Sequence, residues 1–404
     1  TGTVDWCTTA KTSPFTAVSG DGFFVNTSGG AITVTLPGSP SAGDIIALKD
    51  YANTWDTNNV TLCRNGSKIN GACLNTNLNT EAQSVTLIYV DGTKGWQDIH
   101  DSTSNVTGNP GFIIATGGTI TTSGDYKIHT FNADGCFAVS NAFGSGVGGK
   151  VSYMVVAGGG GGGYCTGGGG GAGGFREGKQ ACGGYTASPL AATPCSGLPV
   201  SVQTYPITVG GGGAGSPNSS RGTSGSTSTF STISSSGGGG GGSRNGSELS
   251  GATGGSGGGT ANGDGSTNAA GNTPPVSPPQ GNPGGTGDPG ASNYTGGGGG
   301  ATAAGENGPS ASGGGDGGAG ATTSITASPV ARAGGGGGGA GFPGLAGGAG
   351  GTGGGATGAG PSGGQTSGGT NTGGGGGGGS HPAYPTTGGS AGGSGVVVIR
   401  YKFQ

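Results

Sequence analysis

The side chains able to do chemistry are few and scattered in this 404-residue chain. Glu81, Glu177, Glu248 and Glu306, with a handful of Asp, are the material for general acid–base work, but most of them adjoin glycine, where a carboxylate is poorly positioned. The three histidines, His100, His129 and His381, have no second histidine nearby in sequence. No G-x-S-x-G elbow sits on a strand-to-helix turn, and every GxGxxG match falls inside a glycine run without alternating strand and helix. These patterns predict no catalytic residue, no metal site and no cofactor. Aromatic and basic residues between the glycine runs are the stronger signal: Tyr164, Phe175, Arg176, Lys179, Tyr185, Tyr294, Phe342, His381 and Tyr384. Aromatics on loops, in a chain with 6% aromatic residues, predict platforms for sugar rings or a protein surface. The competing reading makes them apolar plugs for a region with little else to bury.

Seven cysteines show no CxxC spacing. Cys63 with Cys73, and Cys182 with Cys195, are spaced to close short loops as disulfides in an oxidising compartment, with free thiols as the alternative. A net charge of −3 with dispersed Lys and Arg gives no basic patch for nucleic acid. No apolar stretch is long enough to span a membrane. The opening "TGTVDWCTTAK" has neither an initiator Met nor a leader-type run, and reads as a fragment or processed product.

The elements that must position these residues divide at Ala157. Residues 1–106 alternate in the strand period, as in "AITVTL", "GDIIALKDY", "NVTLC" and "SVTLIYVDGTKGWQDI", with turn residues between. A second β module is expected over 107–157, completed by the closing strand "GVVVIRYKFQ" at 395–404, for which "VSYMVVA" is the natural partner. Residues 158–394 hold most of the 112 glycines. Their runs have no Gly-X-Y period and no nine-residue calcium repeat. A flexible linker is the default reading of Gly/Ser sequence. Against it, the runs recur at similar length, and "YMVVA", "YPITV", "STFSTISSS" and "SITASPVARA" each lead into one.

The reading that accounts for this is a bundle of packed polyglycine helices of the polyproline-II type. Such a helix has three residues per turn and no internal hydrogen bonds, so its amides must be satisfied by neighbours close enough to exclude a Cβ. The predicted fold is mostly β plus irregular, with almost no α-helix. Peripheral rods should tolerate alanine, as in "GGAGGTGGGATGAG" from Gly347.

"GDIIALKDYANTWDTNNVTLCRNGSKING" followed by "SVTLIYVDGTKGWQDI" resembles a small β module of phage tail fibres, notably those of phages infecting cyanobacteria and other marine bacteria. "KVSYMVVAGGGGGG", the recurring glycine runs and "GVVVIRYK" resemble the glycine-rich C-terminal domain of such fibres and the tip adhesin of T-even-like phages. The resemblance implies a non-enzymatic, distal tail-fibre segment on the virion, outside the cell. Its inter-run loops would bind a host outer-surface polysaccharide or outer-membrane protein, and the chains would associate as a homotrimer. A structural extracellular fibre, an ice-binding protein and a polysaccharide depolymerase are the other classes weighed.

Overall fold

A computed structural model describes residues 4–101, 112–142, 149–180, 183–192, 196–244, 248–263, 268–288, 294–308 and 313–403. It is built of strands and irregular segments, with no helix among the described residues. It divides into two units, Thr1–Ile113 with Ala142–Gly149, and Ile114–Asn141 with Lys150–Phe403.

The first unit stacks two sheets. One has the order β1 (Asp5–Lys11), β3 (Asp21–Val25), β5 (Ile45–Asp50), β8 (Ser84–Tyr89) and β9 (Trp96–Asp101). The other has the order β2 (Phe15–Thr16), β4 (Ile32–Thr35), β6 (Val60–Cys63) and β7 (Thr76–Leu78). Strands β1, β3 and β5 are parallel, as are β2, β4 and β6. Parallel neighbours need a crossover, and here each crossover is a strand of the opposite sheet, so the chain winds as a short coil. The Pro/Gly/Ser turn between β4 and β5 therefore joins the two sheets and does not close a hairpin. Period-2 alternation sends Ile32, Val34, Val60 and Leu62 inward, where they pack with Trp55 and Trp96 in one apolar core. Buried Asp50 accepts backbone hydrogen bonds from Trp55 and Ala82 at 3.2 and 3.0 Å. It thereby fixes the loop that carries Trp55 inward.

The expected Cys63–Cys73 pairing does not form. Cys63 ends β6 at the position following core-facing Leu62, and its thiol is free. Cys73 is disulfide-bonded, so its partner is not Cys63. Cys182 and Cys195 lie outside the described residues.

The second unit begins with β10 (Ile114–Thr116), β11 (Thr119–Ser123), β12 (Tyr126–Phe131), β13 (Gly135–Asn141) and β14 (Lys150–Val156). Shorter strands follow: β15 (Phe175–Gly178), β16 (Ala191–Ala192), β17 (Leu198–Pro199), β18 (Gln203–Thr208), β19 (Ser228–Phe230), β20 (Ile233–Ser235), β21 (Ala321–Thr323) and β22 (Val330–Arg332). The closing strand is β23 (Val396–Lys402). It lies antiparallel between β12 and β14, with Val396 opposite Val156 and Arg400 opposite Ser152. That is the pairing expected from "VSYMVVA". The sheets run β11-β12-β23-β14-β15-β16, with β17 on β14, and β10-β13-β18-β19-β20, while β21 and β22 form a separate hairpin.

Glycine rods extend from this strand layer, and residues 157–163 show how they pack. The N–H groups of Gly158 and Gly161 donate to Ser226 and Thr223, those of Gly159 and Gly162 to Gly393 and Ser390, and those of Gly160 and Gly163 to Gly171 and Gly168, at 2.9–3.0 Å. The carbonyls of the same residues accept, in the same period of three, from Gly238 and Gly241, from Gly213 and Ser216, and from Gly376 and Gly379. This one rod therefore has neighbours on six sides: residues 222–227, 389–395, 167–174, 236–243, 209–216 and 373–380. A threefold repeat with all amides turned outward is the polyproline-II geometry. No glycine of 158–163 or 167–174 has positive φ, so an L-residue could adopt the backbone. Space forbids it, because a Cβ on Gly160 would fall inside the carbonyl of Gly239, and one on Gly162 inside that of Gly377.

Alanine enters where that geometry leaves room. Ala172 faces the apolar cluster of Met154, Val156, Phe175 and Val396 beneath the strands. In the "GGAGGTGGGATGAG" stretch only part of the expectation holds. Ala349 is exposed, whereas Ala356 and Ala359, three residues apart, are buried in gaps between rods.

Candidate functional site

The hydrogen-bond register fixes the direction of each rod, and so places the connecting loops at one of two poles. Residues 157–163 run away from β14, and 167–174 return to β15, because Gly160 pairs with Gly171 and Gly163 with Gly168. The reversal at 164–166 is therefore about 20 Å from the strands, at ~3.1 Å per residue. The other rods keep the same register. Ser216, Ser243 and Gly379 align with the far end of the 157–163 rod. Thr295 and Gly339 align with Gly315 and Gly167. Opposite the strand pole there is thus a tip formed by 164–166, 217–221, 243–244, 248, 294–295, 341–345 and 381–387.

Five predicted residues lie at this tip: Tyr164, Tyr294, Phe342, His381 and Tyr384. Cys165 donates its N–H to Thr387 at 2.8 Å and Thr166 to Ser380 at 3.1 Å, which ties the Tyr164 reversal to the loop bearing His381 and Tyr384. The rings of His381 and Tyr384 meet edge-on with centroids 6.2 Å apart. Thr295, beside Tyr294, donates its hydroxyl to Gly339 at 2.7 Å, next to the loop carrying Phe342. Phe342 is 42% exposed, and the other four side chains are half-buried. Cys165 and Thr166 take positive φ, 51° and 47°, a conformation costly for a β-branched residue. The tight reversal between adjacent rods requires it.

Sequence reasoning missed the polar frame of this tip. The Ser243 hydroxyl accepts from the Tyr164 N–H at 2.8 Å and donates to the Ser220 carbonyl. Glu248 accepts from the Arg221 N–H at 3.0 Å, and the Arg244 N–H donates to the Tyr164 carbonyl at 3.4 Å. The signal was present in "SSRGTSG" and "GGSRNGSEL", where the cations and the acid flank glycine runs.

The remaining predicted residues sit at the strand pole and not at the tip. Phe175 is a correction: it opens β15 opposite Val156 and is 1% exposed in the apolar cluster, so it is a plug and not a platform. Arg176 reaches the Ser234 carbonyl at 3.5 Å. The Lys179 ammonium lies 5.2 Å from the Tyr185 ring, which also faces the Arg400 guanidinium at 5.5 Å. Burial, then the Glu177 carboxylate, push the Tyr185 phenol above its ordinary range. Glu177 itself is buried, accepting from the Ser188 N–H at 2.9 Å and the Thr323 hydroxyl at 2.6 Å. These contacts hold β15, the segment leading to β16 and the β21–β22 hairpin together, which is a structural task. Among the described residues no three His, Cys, Asp or Glu side chains converge to hold a metal ion.

A family model for a glycine-rich domain matches residues 143–402, the span from the approach to β14 through β23. The chain belongs to that glycine-rich domain family. No curated protein matches it. The match covers the rods together with β14 through β23 and leaves β10–β13 of the same unit outside it.

Proposed function

We propose that the chain is a distal tail-fibre segment of a bacteriophage, and that the tip of its glycine-rich domain attaches to a receptor on the host surface. The observation that carries this reading is the collection of inter-rod loops at one pole, bearing Tyr164, Tyr294, Phe342, His381 and Tyr384. A backbone-bonded bundle is stiff and indifferent to loop sequence, so the loops can diversify without unfolding their support. Aromatic rings on loops that also carry Arg221, Arg244 and Glu248 suit a polysaccharide or an outer-membrane protein. The role is adhesion without bond cleavage, on the virion and outside the cell, with the chain assembled as a homotrimer.

The test is competition between purified chain and virus for adsorption to host cells, together with binding to fractionated host envelope. Wild-type chain should block adsorption, and Phe342→Ala combined with Tyr384→Ala should weaken the block about tenfold or more while the bundle stays folded. Failure to bind any envelope fraction would overturn the reading. Release of reducing sugar from host capsule would convert it into an enzyme.

A further inference from the structure

The outer face of the β1-β3-β5-β8-β9 sheet carries a second arrangement of exposed rings, in the first unit. Register places Trp6, Gly22, Ala47, Thr86 and His100 on one continuous cross-strand row. Phe24, Lys49 and Ser84 form the next row on the same face, and Tyr51 follows just beyond β5. The core uses the opposite face, to which Phe23, Val25, Ile46, Leu48, Val85 and Leu87 belong.

Trp6 lies flat on this face. A Cβ at Gly22 would meet its indole at 2.7 Å, so the missing side chain is the seat of the ring. One surface of the indole is thus fixed against the sheet, and the other is open, with the residue 40% exposed. The Phe24 ring stands 5.0 Å from Trp6, and the Tyr51 ring 6.4 Å from Phe24. Tyr51 is 59% exposed. Beside this stepped line of rings the two rows supply the Lys49 ammonium, which also donates to the Ala82 carbonyl at 2.5 Å. They add the hydroxyls of Ser84 and Thr86 and the His100 imidazole, and no residue of either row carries a carboxylate. Open ring faces with the Lys49 cation on the adjoining strand, and with hydroxyls and an imidazole further along the same face, match a sugar chain: its C–H faces stack on rings, while its hydroxyls and acid groups take hydrogen bonds.

We propose that this face is a binding site for an acidic polysaccharide, with Trp6 and Tyr51 as stacking platforms and Lys49 as the partner of the sugar's carboxylate. The site stands on the first unit alone and does not rest on the tip. The two other tryptophans, Trp55 and Trp96, are fully buried, so quenching of tryptophan fluorescence by acrylamide reports on Trp6. Polygalacturonate added to the full chain should shield Trp6 from acrylamide, and the neutral, fully methyl-esterified polymer should not. Tyr51→Ala and Lys49→Gln should each raise the half-shielding concentration about tenfold, a change of ~1.4 kcal/mol. Tyr51 carries the decisive arm because so exposed a ring can be removed without disturbing the fold. Equal shielding by the neutral polymer, or none by either, overturns the proposal. Shielding that grows with protein concentration in the absence of polymer overturns it too, in favour of a second copy of the chain on this face.

Discussion

The two units are held by opposite means. In the first, Trp55, Trp96, Leu48 and Leu62 fill the space between two sheets, and the main favourable term is apolar surface removed from water. In the rod bundle the interior has almost no side chains, and backbone carbonyls and amides meet directly. Each such hydrogen bond returns a net ~0.5–1.5 kcal/mol, against ~1–2 kcal/mol to order a residue, with glycine the most costly. Carbonyls of neighbouring rods face the glycine Cα–H groups where a Cβ would fall, and such contacts add ~0.5–1 kcal/mol each. The bundle also pins its rods to strands whose Val156, Phe175 and Val396 form an ordinary apolar base. In a core of side chains an added atom can be met by repacking, whereas in the backbone core an added methyl at Gly160 or Gly162 would fall inside a neighbouring carbonyl.

One methyl group added at the centre of the bundle puts this contrast under the greatest strain. Gly160→Ala should cost more than ~4 kcal/mol and abolish the second unit's unfolding transition in denaturant titrations. Deletion in the other core should act only there. Leu62→Ala should lower the stability of the first unit by about 3 kcal/mol and leave the second unit's transition in place.

Hydrogen exchange tests the backbone core without mutation. The amides of 158–163 should be protected to the level of the β14 and β23 amides, and exchange at unfolded-peptide rates would mean the rods do not pack. A pH series gives a smaller effect, confined to the second unit. His129 is buried, bonded to the Gly117 carbonyl at 2.7 Å and the Tyr401 hydroxyl at 3.0 Å. Burial holds its pKa below the ordinary 6.5, with Lys127 adding to the shift and the Gly117 bond opposing it. The unfolded chain therefore binds the extra proton first. Stability from this group is complete above pH ~6.5 and declines as pH falls, by at most ~1.4 kcal/mol per unit, and His129→Phe should flatten the slope. Least of all should change in Gly211→Ala. Gly211 is exposed, and a Cβ added there would meet nothing within 4 Å. Its substitution should therefore shift the second unit's stability by no more than ~0.5 kcal/mol in the same denaturant titration.

How much was legible follows the same division. Period-2 alternation in "ITVT" and "VTLC" located the strands of the first unit, because one face of each is buried. It did not reveal that β4 and β5 belong to different sheets, since a turn sequence is compatible with either connection. The polyglycine rods were readable from composition, because only unbroken glycine lets backbones touch on every side. Phe175 was misread for a related reason: next to a glycine run, an aromatic at the strand pole and one at the tip look alike.

The sequence alone settled that the chain would be mostly β and irregular, that glycine runs would pack as rods, and that "VSYMVVA" and "GVVVIRYK" would pair. Each follows from local chemistry: side-chain period, the absence of Cβ, and complementary apolar strands. Tertiary structure decided which loops share a pole, which alanines are buried and which face of the first sheet exposes Trp6. Those outcomes depend on rod direction and cross-strand register, which arise only when distant segments satisfy one another's amides.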